Sequence, residues 1–277
     1  MSRRVVILVH PATTPREVSR WAIDELGKVW AAGGLKVQYM AGIRPGVPAD
    51  VLIVHVDLSV VPQEFLDFAA SYPVTINARV KDIRKSTISR QRVLPGDGWQ
   101  GSVIVKSNYN CCALGELMLV DRDPSKQVKV PRFPFKMQRQ TDYRIFEQVA
   151  QVPQEYFADE SVVVERFLPE REGELYYTRS YHFLGSKATT VRLGSPNPIV
   201  LGHNSTSMES IEPDPEVVRF REEFKLQYGK IDYVMCEGRA VILDVNKTTG
   251  AGGVSSDPRV QELRNHRASG IYDFLPQ

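Results

Sequence analysis

The chain has 277 residues, 42% of them hydrophobic and 25% charged, with 35 basic against 33 acidic side chains and a formal net charge of +2. That length holds one or two domains, and the composition excludes a disordered, collagen-like or coiled-coil protein. The even charge balance argues against a nucleic-acid or membrane partner.

The aliphatic run 5–9 ends at His10-Pro11 and reads as a buried parallel strand. It is too short for a signal-peptide core, and no later apolar stretch reaches the roughly eighteen residues of a membrane span. Thr14-Pro15 then opens a helix, with Thr14 as N-cap and Pro15 at the first helical position, running to Ala32 before Gly33-Gly34. Further strands are expected over 36–40, 50–56 and 73–77, with a helix over 62–70. This alternation predicts a parallel α/β layer over residues 1–80. No G-x-G-x-x-G follows the first strand, which argues against a dinucleotide-binding fold. The basic, turn-rich stretch 81–101 connects to a second part of α+β character. There strands are expected over 103–106, 161–165, 176–183, 188–192, 231–236 and 240–245, with helices over 141–149 and 216–225. Glu237-Gly238-Arg239 joins the last two strands as a hairpin turn. The three cysteines, Cys111, Cys112 and Cys236, are odd in number and lack metal-ligand spacing. A disulfide framework is therefore not expected, and a reducing cytoplasm is. Cys111-Cys112 has no recognisable basic partner and reads as packing rather than a nucleophile.

Three segments carry chemistry. The strand VIVK ends in Lys106, where an ammonium after a buried apolar run either reaches solvent or meets a phosphate. The strand VVVE ends in Glu165 and continues as Arg166-Phe167-Leu168, an apolar slot of the kind an adenine ring needs. Glu172 and Glu174 follow within reach of ribose hydroxyls, or are simply a solvated turn. Along the final hairpin, Asp244 and Asn246 are two residues apart and share a face, which Asp232 on the partner strand can reach. Two carboxylates and an amide oxygen suit Mg²⁺.

In this order and spacing, VIVK, VVVERFL, DY and LDVNKTTG resemble the ATP-grasp superfamily, over roughly residues 100–250. The resemblance implies an N-terminal α/β layer followed by an ATP-grasp fold over 81–277, which closes on ATP and Mg²⁺. It implies Lys106 as the phosphate lysine, with Lys85 or Lys81 as the earlier lysine. It further implies Glu165, Arg166, Phe167 and Leu168 as the adenine linker, Glu172 or Glu174 at the ribose, and Asp232, Asp244 and Asn246 as metal ligands. Members usually carry a glycine-rich loop after the phosphate lysine, whereas residues 108–116 hold only Gly115.

Arg179 and Arg192 sit within expected strands and must find an anion or face water. The resemblance makes them catalytic, steadying an acyl-phosphate and a substrate carboxylate. His10, His55 and Asp57 end strands of an open α/β sheet, either lining a cleft there or serving the structure. The implied activity is ATP- and Mg²⁺-dependent ligation of a carboxylate to an amine or other nucleophile, on small molecules. A small-molecule kinase and a non-catalytic nucleotide-binding protein are the alternatives, and a homodimer is compatible with each. Replacing Asp244 by Asn is expected to relieve repulsion between carboxylates and leave the fold intact.

Overall fold

The computed structural model describes residues 3–251 and 258–276. It opens with β1 (Arg4–Val9), α1 (Pro15–Val18), α2 (Ala22–Ala32), β2 (Lys36–Ala41), β3 (Val51–Val54), α3 (Gln63–Ala69) and β4 (Thr75–Ile76). The four strands form one parallel sheet in the order β2-β1-β3-β4. Successive side chains of β1 feed opposite cores. Val5, Ile7 and Val9 pack with Trp30 on one face, while Val6 and Leu8 pack with Phe65 on the other. Burial on both faces explains the unbroken aliphatic run.

The single helix expected from Pro15 to Ala32 is two. A capping box between Thr14 and Glu17 starts α1. The helix then stops because Trp21 makes a β-bridge to Gly250 and the Ala22 amide donates to the Thr249 carbonyl. A long-range backbone contact overrides a sequence that is locally competent for helix.

After α4 (Lys85–Ile88) come β5 (Val103–Ser107), α5 (Leu114–Leu119), β6 (Arg144–Phe146), α6 (Gln154–Ala158) and β7 (Val162–Arg166). The antiparallel sheet β6-β5-β7 results. No helix forms over 141–149. Residues 144–146 instead complete the edge beside β5, with 3₁₀ turns before and after. The rest is β8 (Glu170–Glu172), β9 (Leu175–Leu184), β10 (Lys187–Ser195), β11 (Ser207–Ile211), α7 (Pro215–Glu223), β12 (Tyr228–Cys236), β13 (Arg239–Asn246) and α8 (Pro258–Ala268). Its sheet runs β11-β10-β9-β12-β13, with β8 also on β9. Glu237 and Gly238, both at positive φ (50° and 75°), make a two-residue turn, and Arg239 already pairs with Cys236.

The C-terminal segment returns to the parallel layer. Trp30 Nε1 donates to the Ala268 carbonyl at 2.8 Å, and Ile271 and Leu275 join the core around Trp30. Among the described residues, no helix is long and apolar enough to cross a membrane.

Candidate functional site

A cavity lies between the three-stranded sheet and the larger antiparallel one. Ile104, Phe167, Leu168, Val200 and Leu243 supply its apolar walls, and Lys85, Lys106, Glu165, Asp232 and Asp244 its charged groups. The charges come in pairs. Lys106 Nζ on β5 lies 2.5 Å from Glu165 Oε2 on β7, and also donates to the Leu243 carbonyl at 3.3 Å. Both side chains are almost fully buried.

Lys85, at the start of α4, lies 2.9 Å from Asp244 Oδ1, close enough for an ion pair though not aligned as a hydrogen bond to that oxygen. Its Nζ also donates to the Tyr109 carbonyl at 3.3 Å. Burial by itself would lower the Lys85 pKa and is the largest single effect; Asp244, with smaller help from Glu165 and Cys111, outweighs it in sum and holds the ammonium above its usual value. Lys230 Nζ lies 2.7 Å from Asp232 Oδ2, and Ser180 Oγ donates to Asp232 Oδ1 at 2.5 Å. Burial lowers Lys230 too, and Asp232 more than compensates.

The ladder explains the convergence. Asp232 pairs with Asp244 and Lys230 with Asn246 across β12 and β13. Cross-strand partners share a face, as do residues two apart, so all four project together. A bulge between Asp232 and Tyr233 shifts the register beyond them.

Of the residues singled out in the sequence, Lys85, Lys106, Glu165, Arg166, Phe167, Leu168, Asp232 and Asp244 line this one cavity. Five others assigned to the site lie elsewhere, as does Lys81, which donates to Gln63 Oε1 at 3.0 Å on the surface. Asn246 borders a neighbouring cavity, and its Oδ1 accepts the Thr248 amide at 2.8 Å. Glu172 is exposed and paired with Arg192, and Glu174 is exposed. Neither lines the cavity, and the ribose expectation rests on the resemblance alone. Arg179 and Arg192 face each other across β9 and β10, one residue out of step with Ser180, which meets Asp232. They therefore project to the opposite face, where both bind the buried Glu170, at 2.9 Å and 3.0 Å. The anion these arginines meet here is internal, and a place beside the reacting groups rests on the resemblance alone.

Lys230 was missed, although its signal was present. In Lys230-Ile231-Asp232 the lysine has the same strand parity as the aspartate and therefore the same face. The segment after Lys106 holds a left-handed turn, with Cys111, Cys112 and Ala113 at φ 44°, 56° and 61°. Burial pushes the Cys111 thiol up to about 12 and Cys112 to about 11, so neither is a ready nucleophile.

No family model and no curated protein matches the sequence. Solved structures match over almost the whole chain. The ATP-grasp ligase PsnB, complexed with minimal precursor, Mg and ADP, superposes with a TM-score of 0.53 at 12% identity, covering 98% of this chain and 97% of that one. D-alanyl-alanine synthetase A from Vibrio cholerae gives 0.52 at 13%, covering 99% and 97%. A RimK domain ATP-grasp protein from Sphaerobacter thermophilus gives 0.50 at 14%, covering 98% and 99%. At such identities the likeness is one of architecture, and it agrees with the layered sheets described above: the chain has the ATP-grasp fold.

Proposed function

We propose that the protein is an ATP-dependent ligase that activates a carboxylate as an acyl-phosphate for attack by an amine. The observation that carries this reading is the one-to-one pairing of three lysines with three carboxylates, Lys106–Glu165, Lys85–Asp244 and Lys230–Asp232, beside an apolar slot. Buried ammonium groups without a ligand need internal counterions. A triphosphate offers them stronger ones.

In this reading Phe167 and Leu168 hold the adenine ring, and Lys106 and Lys85 exchange their carboxylates for phosphate oxygens. Lys230 approaches the transferring phosphoryl group. Its ammonium favours the charge that builds there as the substrate carboxylate bonds to the γ-phosphorus and ADP departs. Asp232 and Asp244, freed from their lysines, are a hard-oxygen pair on one face and fit Mg²⁺; Asn246, turned to its own backbone, fits less directly. When bound, the cation supplies further positive charge to the phosphate oxygens.

Hydroxylamine trapping tests the reading. With ATP, Mg²⁺ and a panel of small carboxylic acids, one acid should give a hydroxamate and stoichiometric ADP. ADP with a phosphate ester instead would favour the kinase, and nucleotide binding without ADP the non-catalytic alternative.

A further inference from the structure

We propose that the neighbouring cavity takes the acceptor of the reaction, a primary ammonium on an apolar body, with the ammonium held by Asp57. The role as acceptor rests on the ligase reading; the binding itself does not.

Trp21, Leu114, Met118 and Leu119 give this cavity its apolar walls, and Asp57 lines it just beyond the carboxyl end of β3. Among the described residues the Asp57 carboxylate has one hydrogen bond, from Thr248 Oγ1, and no ion pair. The lysine next in sequence to Thr248 does not neutralise it. Lys247 is fully buried, and its ammonium donates to the Val56 carbonyl at 3.1 Å and to the Leu58 carbonyl. Glu17, on the same wall, is already held by Arg122 and by the capping box. Among the described residues Asp57 is therefore the carboxylate of this cavity without an ion pair; burial raises its pKa and outweighs the opposing charge of Lys247. A carboxylate in that state gains from an incoming ammonium what it lacks internally. Thr13 Oγ1, buried on the same wall without a partner among the described residues, is a second group suited to a polar contact.

The position suits an acceptor. Asn246 and Thr248 line this cavity, while Asp244, two residues earlier, lines the first. Cys111 stands between, within the fields of Asp244, Lys230 and Asp57. The two cavities are thus neighbours along β13. Of its two surplus protons, the first passes to Asp57. The free amine then forms the C–N bond as the C–O bond to phosphate breaks, and the second proton leaves with phosphate. Arg20, exposed at the rim and without an ion pair among the described residues, is placed for a carboxylate if the acceptor carries one.

Titration calorimetry on the full chain, with and without ADP and Mg²⁺, tests this using three probes with one side chain: leucine, isoamylamine, which lacks the carboxylate, and 4-methylpentanoate, which lacks the amine. The two amine-bearing probes should bind and the acid should not. Asp57→Asn keeps an acceptor for Thr248, so it should fold, and it should weaken the amines at least tenfold. Tighter binding of leucine than of isoamylamine, erased in Arg20→Gln, would add the carboxylate contact; equal binding would leave the ammonium alone as the determinant. If no amine binds in either condition, if the acid binds as well, or if Asp57→Asn is without effect, the proposal is overturned. Binding is read without turnover, so a negative hydroxamate assay and a negative titration remain separate results.

Discussion

Asp232 stands directly opposite Asp244 across β12 and β13, and each carboxylate is held by a lysine of its own, Lys230 at 2.7 Å and Lys85 at 2.9 Å. The two acids therefore do not simply repel each other. This changes what Asp244→Asn should do. The substitution leaves the Lys85 ammonium, whose side chain is 3% exposed, without its counterion. We expect a loss of on the order of 3 kcal/mol in unfolding free energy rather than an intact fold. ATP affinity should also lose its dependence on Mg²⁺, measured by titration with and without chelator.

Lys106→Met carries a similar cost for a different reason. It strands the Glu165 carboxylate, which is 2% exposed and whose Oε1 already lacks a partner. Thermal denaturation should show a drop of several degrees, again roughly 3 kcal/mol. The double variant Lys106→Met/Glu165→Gln should recover most of the stability while remaining poor in ATP binding. Recovery of both properties together would show that Lys106 has no phosphate role.

The strands were legible because their aliphatic runs have no competing period: β1, β5 and β7 each read correctly to within a residue or two. Face-sharing along β13 was legible too, since strand parity is fixed at two. What escaped the sequence was set by contacts far along the chain. The break before Ala22 depends on Thr249 and Gly250, and β6 exists because β5 offers an edge. Arg179 and Arg192 were assigned by chemistry alone. Their true anion, Glu170, starts a strand whose pairing with β9 no local pattern announces.

Acid stability should depend on His55. Its ring is fully buried, neither nitrogen has a hydrogen-bond partner among the described residues, and burial depresses its pKa to about 3. The folded state therefore stays neutral where the unfolded chain, near 6.5, takes up a proton. The contribution is fully present above pH 6.5 and is lost as pH falls from 6.5 toward 3. Between pH 7 and pH 5 this group alone should remove about 2 kcal/mol. Denaturant melts of wild type and His55→Leu at the two pH values measure it as the difference in their pH dependence. Parallel behaviour of the two proteins would assign the acid sensitivity to other groups.

Gly115 should be intolerant of any side chain. A Cβ there would lie 2.2 Å from the Asp57 carbonyl oxygen, a backbone atom that cannot swing aside. Gly115→Ala should cost about 1–3 kcal/mol through displacement of α5 or of the segment after β3. Gly46, at a turn with nothing within 4 Å of the added carbon, serves as a control for loss of a glycine in a strained conformation rather than for a clash.

Arg179 and Lys230 give the sharpest contrast between a structural cation and one at the reacting groups. Glu170 accepts three hydrogen bonds from Arg179, one from Arg192 and one from the Met235 amide at 2.8 Å. Burial would raise its pKa, yet Arg179 and the Met235 amide together bring it below the usual carboxylate range. Removing Arg179 leaves Arg192 in place, so Arg179→Leu should cost about 2 kcal/mol of stability, less than loss of an only counterion. Below its melting temperature the folded protein, on the ligase reading, should keep its KM for ATP and most of its kcat, because the side chain projects away from Asp232. Lys230→Met removes a cation facing Asn246 beside that aspartate, and should lower kcat by about a hundredfold or more. Steady-state kinetics on both variants, each normalised to folded protein, separates the two. If Arg179→Leu instead loses kcat while Lys230→Met keeps it, the arginine contacts substrate in a conformation other than this one, and the assignment of Lys230 to the phosphoryl group fails with it.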